Sequence, residues 1–216
     1  MAGVIVQWEI SGLDCLVIGA GPTGRRRAAL MTDLGARVTV IAPDANPSDL
    51  PASAILLSRH ATPADLHGRH LVILATDDPD TQQSLMQAAQ ALRIPVNRAD
   101  DGDAGDLTFL ATRSAGPLTL SVSTAGASAS AAVTIAEEAL AAVAPDWTAL
   151  LEKAAAERDR IQQQLPPGSV RQQILRWLVD EDSRAAARES DQALRDHWDQ
   201  LINQAQTSAT TQKPQP

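Results

Sequence analysis

Three glycines with chemical potential stand early in the chain. In DCLVIGAGPTGRRRAALMTDLGARVTVIAPD, residues 14–44, Gly19, Gly21 and Gly24 form G-x-G-x-x-G, with Pro22 and Thr23 inside the loop. The types suit a pyrophosphate. The first glycine permits a tight turn, the second lets backbone approach the phosphates, and the third lets helix and strand pack closely. A helix starting here would add free N–H groups and the positive end of its dipole. An acid is expected roughly 20 residues later to bond the ribose hydroxyls. Asp44 stands there, behind Pro43 and past the last apolar residues of the next strand. Two roles stay open for it: a ribose ligand or a turn cap. No Arg directly follows that strand to hold a 2′-phosphate, which favours NAD over NADP.

Other polar groups could move protons or bind anions. Asp100 ends NRAD, after a short apolar stretch beginning at Pro95, and opens a run with Asp101, Asp103 and Asp106. A carboxylate at the C-terminal end of a strand sits where open α/β sheets bind ligands, and it can act as a base. The bland alternative is a solvated, loop-capping run. The stretch STAGASAS, residues 123–130, offers hydroxyls and N–H groups ahead of a helix and could bind carboxylates, with Arg98 and Arg113 adding charge. It could equally be a small-residue packing contact. His60, His67, His70 and His197 fit no zinc spacing, and Cys15 is the single cysteine, so no metal site is expected.

The elements that must position these groups alternate. Leu13–Ile18 and Leu71–Ala75 are continuous apolar runs, the pattern of strands covered on both faces. Further strands are expected at Val4–Ile10, Arg37–Ala42, Ala54–Leu57 and from Pro95. Helices are expected at Pro22–Leu34 and Pro79–Leu92. Strands separated by helices predict an α/β fold with a Rossmann-like, doubly wound parallel sheet. A hairpin then pairs Leu107–Thr112 with Leu118–Thr124, and a helix runs to about Val143. Pro145 marks a boundary, and the chain beyond it is helical. The expected domains are 1–106 for the nucleotide, 107–145 as a hairpin-and-helix segment, 146–203 as a helical C-terminal domain, and 204–216 as a disordered tail.

Composition narrows the function. The 216 residues are 44% hydrophobic, with four Trp, one Phe and no Tyr. The net charge is −8. Acidity and scarce aromatics disfavour a nucleic-acid reader. The two lysines, Lys153 and Lys213, lie outside the nucleotide region, against a phosphate-loop NTPase. No apolar run reaches membrane-spanning length, and no basic segment leads into an apolar run at the N-terminus. A cytoplasmic enzyme without membrane contact is the expectation. Cys15 falls inside the first buried run and reads as a small hydrophobe.

Taken together, several motifs resemble the precorrin-2 dehydrogenase family, the NAD-dependent half of siroheme synthase and its free-standing relatives. They are the glycine loop with Gly24-Arg25-Arg26-Arg27, V-x-A-P-D at Val40–Asp44, A-T-D-D at Ala75–Asp78, and P-V-N-x-x-D at Pro95–Asp100, all in the family's order over roughly residues 4–180. The chain departs from the family in the hairpin, which reads DLTFLA. It departs again in the serine loop, with Ala125 for a Gly and Ala129 for a Pro, and in a Gln for the Asn after ATDD. The resemblance implies an NAD-dependent oxidation of precorrin-2 to sirohydrochlorin, with iron insertion in some members. It implies NAD at Gly19, Gly21, Pro22, Thr23, Gly24, Pro43, Asp44, Thr76 and Asp77, and Asp100 as the catalytic aspartate. It further implies a tetrapyrrole polycarboxylate near Ser123, Thr124, Ser128, Arg98 and Arg113, and a homodimer built on the hairpin and helix. Two other classes fit less well: a non-catalytic NAD-binding regulator, and a dehydrogenase of this fold with another substrate.

Overall fold

The computed structural model describes residues 3–99, 105–165 and 167–211. The chain divides into two compact units, residues 1–109 and 110–216.

In the first unit, β1 (Asp14–Ile18), β2 (Arg37–Ile41), β3 (Ile55–Leu57), β4 (Leu71–Leu74) and β5 (Val96–Arg98) form one parallel sheet in the order β3-β2-β1-β4-β5. The order reverses beside β1, and ligands of open α/β sheets bind at such a point. Helix α1 (Pro22–Asp33) joins β1 to β2, and α2 (Pro79–Leu92) joins β4 to β5. The apolar runs of β1 and β4 are explained by cover on both faces. Cys15 and Val17 pack with Ala28 and Met31 of α1. Leu16 and Ile18 pack with Leu85 and Ala89 of α2. Cys15 is fully buried, and burial pushes its thiol up to about 11. Asp78 caps α2, its carboxylate accepting from the Asp80 N–H at 3.2 Å.

The expected strand at Val4–Ile10 does not form. Residues 3–10 are irregular, and Val4, Ile5 and Val6 are exposed. Both neighbours of β1 are already supplied by β2 and β4. The segment pairs with no strand of the sheet and stays irregular despite its strand propensity, held by the buried Ile10.

In the second unit, β6 (Ala111–Ala115) and β7 (Leu118–Val122) form an antiparallel hairpin around Gly116-Pro117. It starts four residues later than expected. Leu107 and Phe109 instead pack on the first unit's core. Helix α3 (Ala129–Gln164) then runs through Pro145 without a break, so the expected boundary there is corrected. A proline inside a helix costs about 3 kcal/mol, but packing on both sides of it offsets that. The hairpin packs on α3. Farther along, Leu150 and Ile161 of α3 are buried with Ile174, Leu178, Leu194 and Trp198. Helices α4 (Ser169–Trp177), α5 (Glu181–Glu189) and α6 (Asp191–Thr211) complete the unit. α6 reaches seven residues past Gln204, where a disordered tail was expected. Ser183 ties the unit internally. Its hydroxyl donates to the Trp177 carbonyl at 2.6 Å and accepts from Trp198 Nε1 at 3.0 Å.

Candidate cofactor and substrate site

The glycine loop joins the end of β1 to the start of α1. Gly19 takes φ +98°, and a Cβ there would lie 2.2 Å from the Ala75 carbonyl oxygen, so only glycine fits. Gly24 lies under the loop, where a Cβ would come within 2.0 Å of the Gly19 carbonyl oxygen. Gly21 differs: its Cβ position is open, with nothing within 4 Å. It is also the N-cap of α1 and supplies no side-chain cap. The first turn of α1 therefore keeps N–H groups for an incoming anion.

A cavity of about 460 Å³ opens above this loop. Its walls include Gly19, Gly21, Pro22, Thr23, Pro43, Asp44, Thr76 and Asp77. Eight of the nine residues expected at the cofactor thus come together. Gly24 supports the loop from below. The cavity walls also include Arg25, Asn46 and Asp49, which the reading of the sequence missed. The signal for Arg25 was its place in the first turn of α1, beside the loop. Asp49 had none, because a short 3-10 turn, Pro47–Asp49, carries it back to the loop.

The far side of the cavity is braced from β5. Arg98 donates to Gln82 Oε1 at 2.6 Å, and Gln82 Nε2 donates to the Thr76 carbonyl at 2.5 Å. Gln82 is buried at 6% exposure, so this relay fixes the β4–α2 loop. A smaller cavity of about 110 Å³ adjoins it and is lined by His60, Thr76 and Asp78. The Thr81 hydroxyl donates to Asp78 and holds its carboxyl below the usual range.

Asp100 lies outside the described residues. Ala99 before it and the chain from Gly105 onward are described. The Ala99 N–H donates to the Leu74 carbonyl at 2.9 Å, at the C-terminal end of β4. Asp106 lies against the neighbouring strand β5, its carboxylate accepting from the Val96 N–H at 3.0 Å. Asn97, only 2% exposed, donates to the Leu107 carbonyl at 3.0 Å. These bonds anchor both ends of the segment that carries Asp100 to β5 and the sheet.

In the second unit, Ser123, Thr124 and Ser128 share the loop between β7 and α3. Ser128 caps α3, its hydroxyl accepting from the Ala131 N–H at 3.1 Å. Thr124 Oγ1 donates to the Ser128 carbonyl at 2.9 Å and accepts from the Ser128 N–H at 3.2 Å. Ala125 adopts φ +50°, a left-handed conformation that suits glycine better. Arg113 pairs with Glu137 of α3 at 2.8 Å, so its charge is met within the unit. Arg98, by contrast, belongs to the first unit. Among the described residues, no group of His, Cys, Asp and Glu is placed to hold a metal ion.

A family model described as "Putative NAD(P)-binding" matches residues 6–111. A siroheme synthase of Methylococcus capsulatus is 33% identical over 162 residues, covering 73% of this chain and 34% of the relative. One of Shigella boydii is 32% identical over 203 residues, covering 91% of this chain and 44% of the relative. Over most of its own length the chain is similar to siroheme synthases. It spans less than half the length of these siroheme synthases. The solved structure of SirC, a precorrin-2 dehydrogenase, shares the fold with a TM-score of 0.73 at 22% identity. That match covers 93% of this chain and all of SirC.

The positions at which the chain departs from the motifs it resembles fall on particular contacts. Ala125 takes a backbone conformation suited to the glycine it replaces. Phe109, in the altered DLTFLA stretch, stacks on the guanidinium of Arg27 at 4.1 Å from the ring centroid. Burial lowers the Arg27 pKa to about 10. The Arg-rich helix start and the altered stretch therefore pack together in the first unit.

Proposed function

We propose that this chain is an NAD-dependent dehydrogenase that oxidises precorrin-2 to sirohydrochlorin in siroheme biosynthesis. The observation that carries this reading is the glycine loop. It is open at Gly21 and faces a cavity of dinucleotide scale, in a chain whose relatives are siroheme synthases. The cavity residues fit NAD: backbone N–H groups at α1 for the pyrophosphate, and Asp44 beside Pro43 for the ribose. Held at the Gly19–Gly24 loop, NAD would supply the acceptor for a hydride. Precorrin-2 loses that hydride from carbon and a proton as well, giving sirohydrochlorin, NADH and H⁺.

The protein's own groups have separate tasks in this scheme. Gly19 and Gly24 shape the loop, and Arg98 and Gln82 brace its far wall. Asp100 takes or relays the proton. The Ser123–Ser128 loop, at the N-terminus of α3, offers hydroxyls and N–H groups to substrate carboxylates. Among the described residues no helix is long and apolar enough to cross a membrane.

Gly21→Val tests the cofactor half. The open space around the Gly21 Cβ lets the variant fold, while the added side chain stands where the pyrophosphate approaches. Calorimetry should show NAD affinity falling at least about tenfold, or roughly 1.4 kcal/mol. Unchanged affinity in a folded variant removes NAD from this loop.

We also infer a homodimer built on residues 107–143. The hairpin has two strands, its outward residues Thr112, Ser114, Thr119 and Ser121 are polar, and Ile135 of α3 is 46% exposed. A lone hairpin leaves strand edges open to pairing. Light scattering at micromolar concentration should give twice the 22.8 kDa chain mass. A clean monomer rules the dimer out.

A further inference from the structure

The wall of the cofactor cavity carries one charge pair, Arg25 with Asp49. Arg25, in the first turn of α1, reaches across the β2 end of the cavity to Asp49, with Nη1 2.8 Å from the carboxylate. Its Nε also donates to the carbonyl of Ala20, inside the glycine loop, at 2.7 Å. The guanidinium is thus held on two sides, by the loop and by the 3-10 turn after β2. Both side chains remain partly open to solvent, at 46% and 38% exposure. Asp44 lines the same end of the cavity.

In a sheet of this topology, the end of β2 is where the adenosine ribose lies. An acid there selects the free 2′-hydroxyl, and an available Arg accepts a 2′-phosphate. This cavity has both kinds of group. Its one lining Arg or Lys, among the described residues, is Arg25. Left alone, that arginine would suit the 2′-phosphate of NADP.

We propose that Asp49 is a specificity-determining residue: by holding Arg25, it withdraws the cavity's cation from a 2′-phosphate and adds a second carboxylate beside Asp44. This rests on the proposed cofactor reading and says which dinucleotide the site rejects and how. The discrimination is electrostatic and local. A 2′-phosphate would have to compete with Asp49 for Arg25 while facing two carboxylates, whereas a 2′-hydroxyl can donate to one of them.

The test is calorimetric binding of NAD and of NADP to the full chain, without substrate. The readout is the ratio of the NADP to the NAD dissociation constant. The unsubstituted protein should favour NAD by at least about tenfold. Asp49→Ala frees Arg25, and the ratio should fall at least about tenfold. Asp49→Asn, which keeps the shape of the turn, should shift it in the same direction by less. Arg25→Ala combined with Asp49→Ala should lose most of the gain, because the freed cation is then absent. A ratio unchanged within threefold in both single Asp49 variants overturns the proposal. So does a double variant that keeps the full gain. If the unsubstituted, folded protein binds neither dinucleotide, the cofactor reading itself falls and this proposal with it. NAD binding with no Asp49 effect sinks only the proposal.

Discussion

Gly19→Ala should lose measurable NAD binding and unfold at a markedly lower temperature than the parent. Two effects add at this position. The backbone is at φ +98°, which an L side chain rarely adopts, and the new Cβ would lie 2.2 Å from the Ala75 oxygen and 2.6 Å from its carbon. Those atoms are backbone at the end of β4, in the middle of the sheet, and cannot swing away as a side chain would. Overpacking a tight site costs 1–3 kcal/mol, and the left-handed penalty adds to that. A combined loss of about 3 kcal/mol or more lowers Tm by on the order of 10 °C. Gly21→Ala is the matched control, since its Cβ meets nothing within 4 Å; it should melt near the parent. Calorimetric melting of the two variants checks the claim. A Gly19→Ala protein as stable as Gly21→Ala would mean that the loop is not held against β4.

Asp100→Asn should keep the fold and NAD affinity but lose 10²- to 10⁴-fold in turnover, the usual cost of removing a general base. The substitution preserves size and removes basicity. NAD affinity should hold because the glycine loop is a separate element. Asp101→Asn is the neighbouring control and should remain near the parent rate. The measurement is initial NADH formation from precorrin-2 under anaerobic conditions. Full activity in Asp100→Asn, or a dead Asp101→Asn, takes Asp100 out of the mechanism.

Much of the first unit was legible because its signals are local. Apolar runs such as Leu71–Leu74 mark strands covered on both faces. Gly19 and Gly24 mark a turn that no other residue fits, and Asp78-Pro79 marks a helix start. The cofactor cavity follows from these, since the ends of β1, β2 and β4 converge beside the strand-order reversal. What stayed hidden depends on distance along the chain. Asp49 enters the cavity because a short turn folds back, and Gln82 becomes a brace because α2 lays it against Thr76 and Arg98. Neither has a spacing rule.

The misreadings have the same origin. Val4–Ile10 has strand composition, but β2 and β4 already flank β1. Pro145 breaks helices by local rules, yet the hairpin on one side and Leu150 and Ile161 on the other hold α3 as one rod. In each case tertiary packing overrode a local preference.

The most direct test of the central claim is a single anaerobic reaction with purified protein, NAD and precorrin-2, followed by absorbance. The account predicts that NADH appears in step with sirohydrochlorin, one for one, and that neither forms when NAD or the protein is left out. Folded protein that binds NAD yet leaves precorrin-2 unoxidised would contradict it.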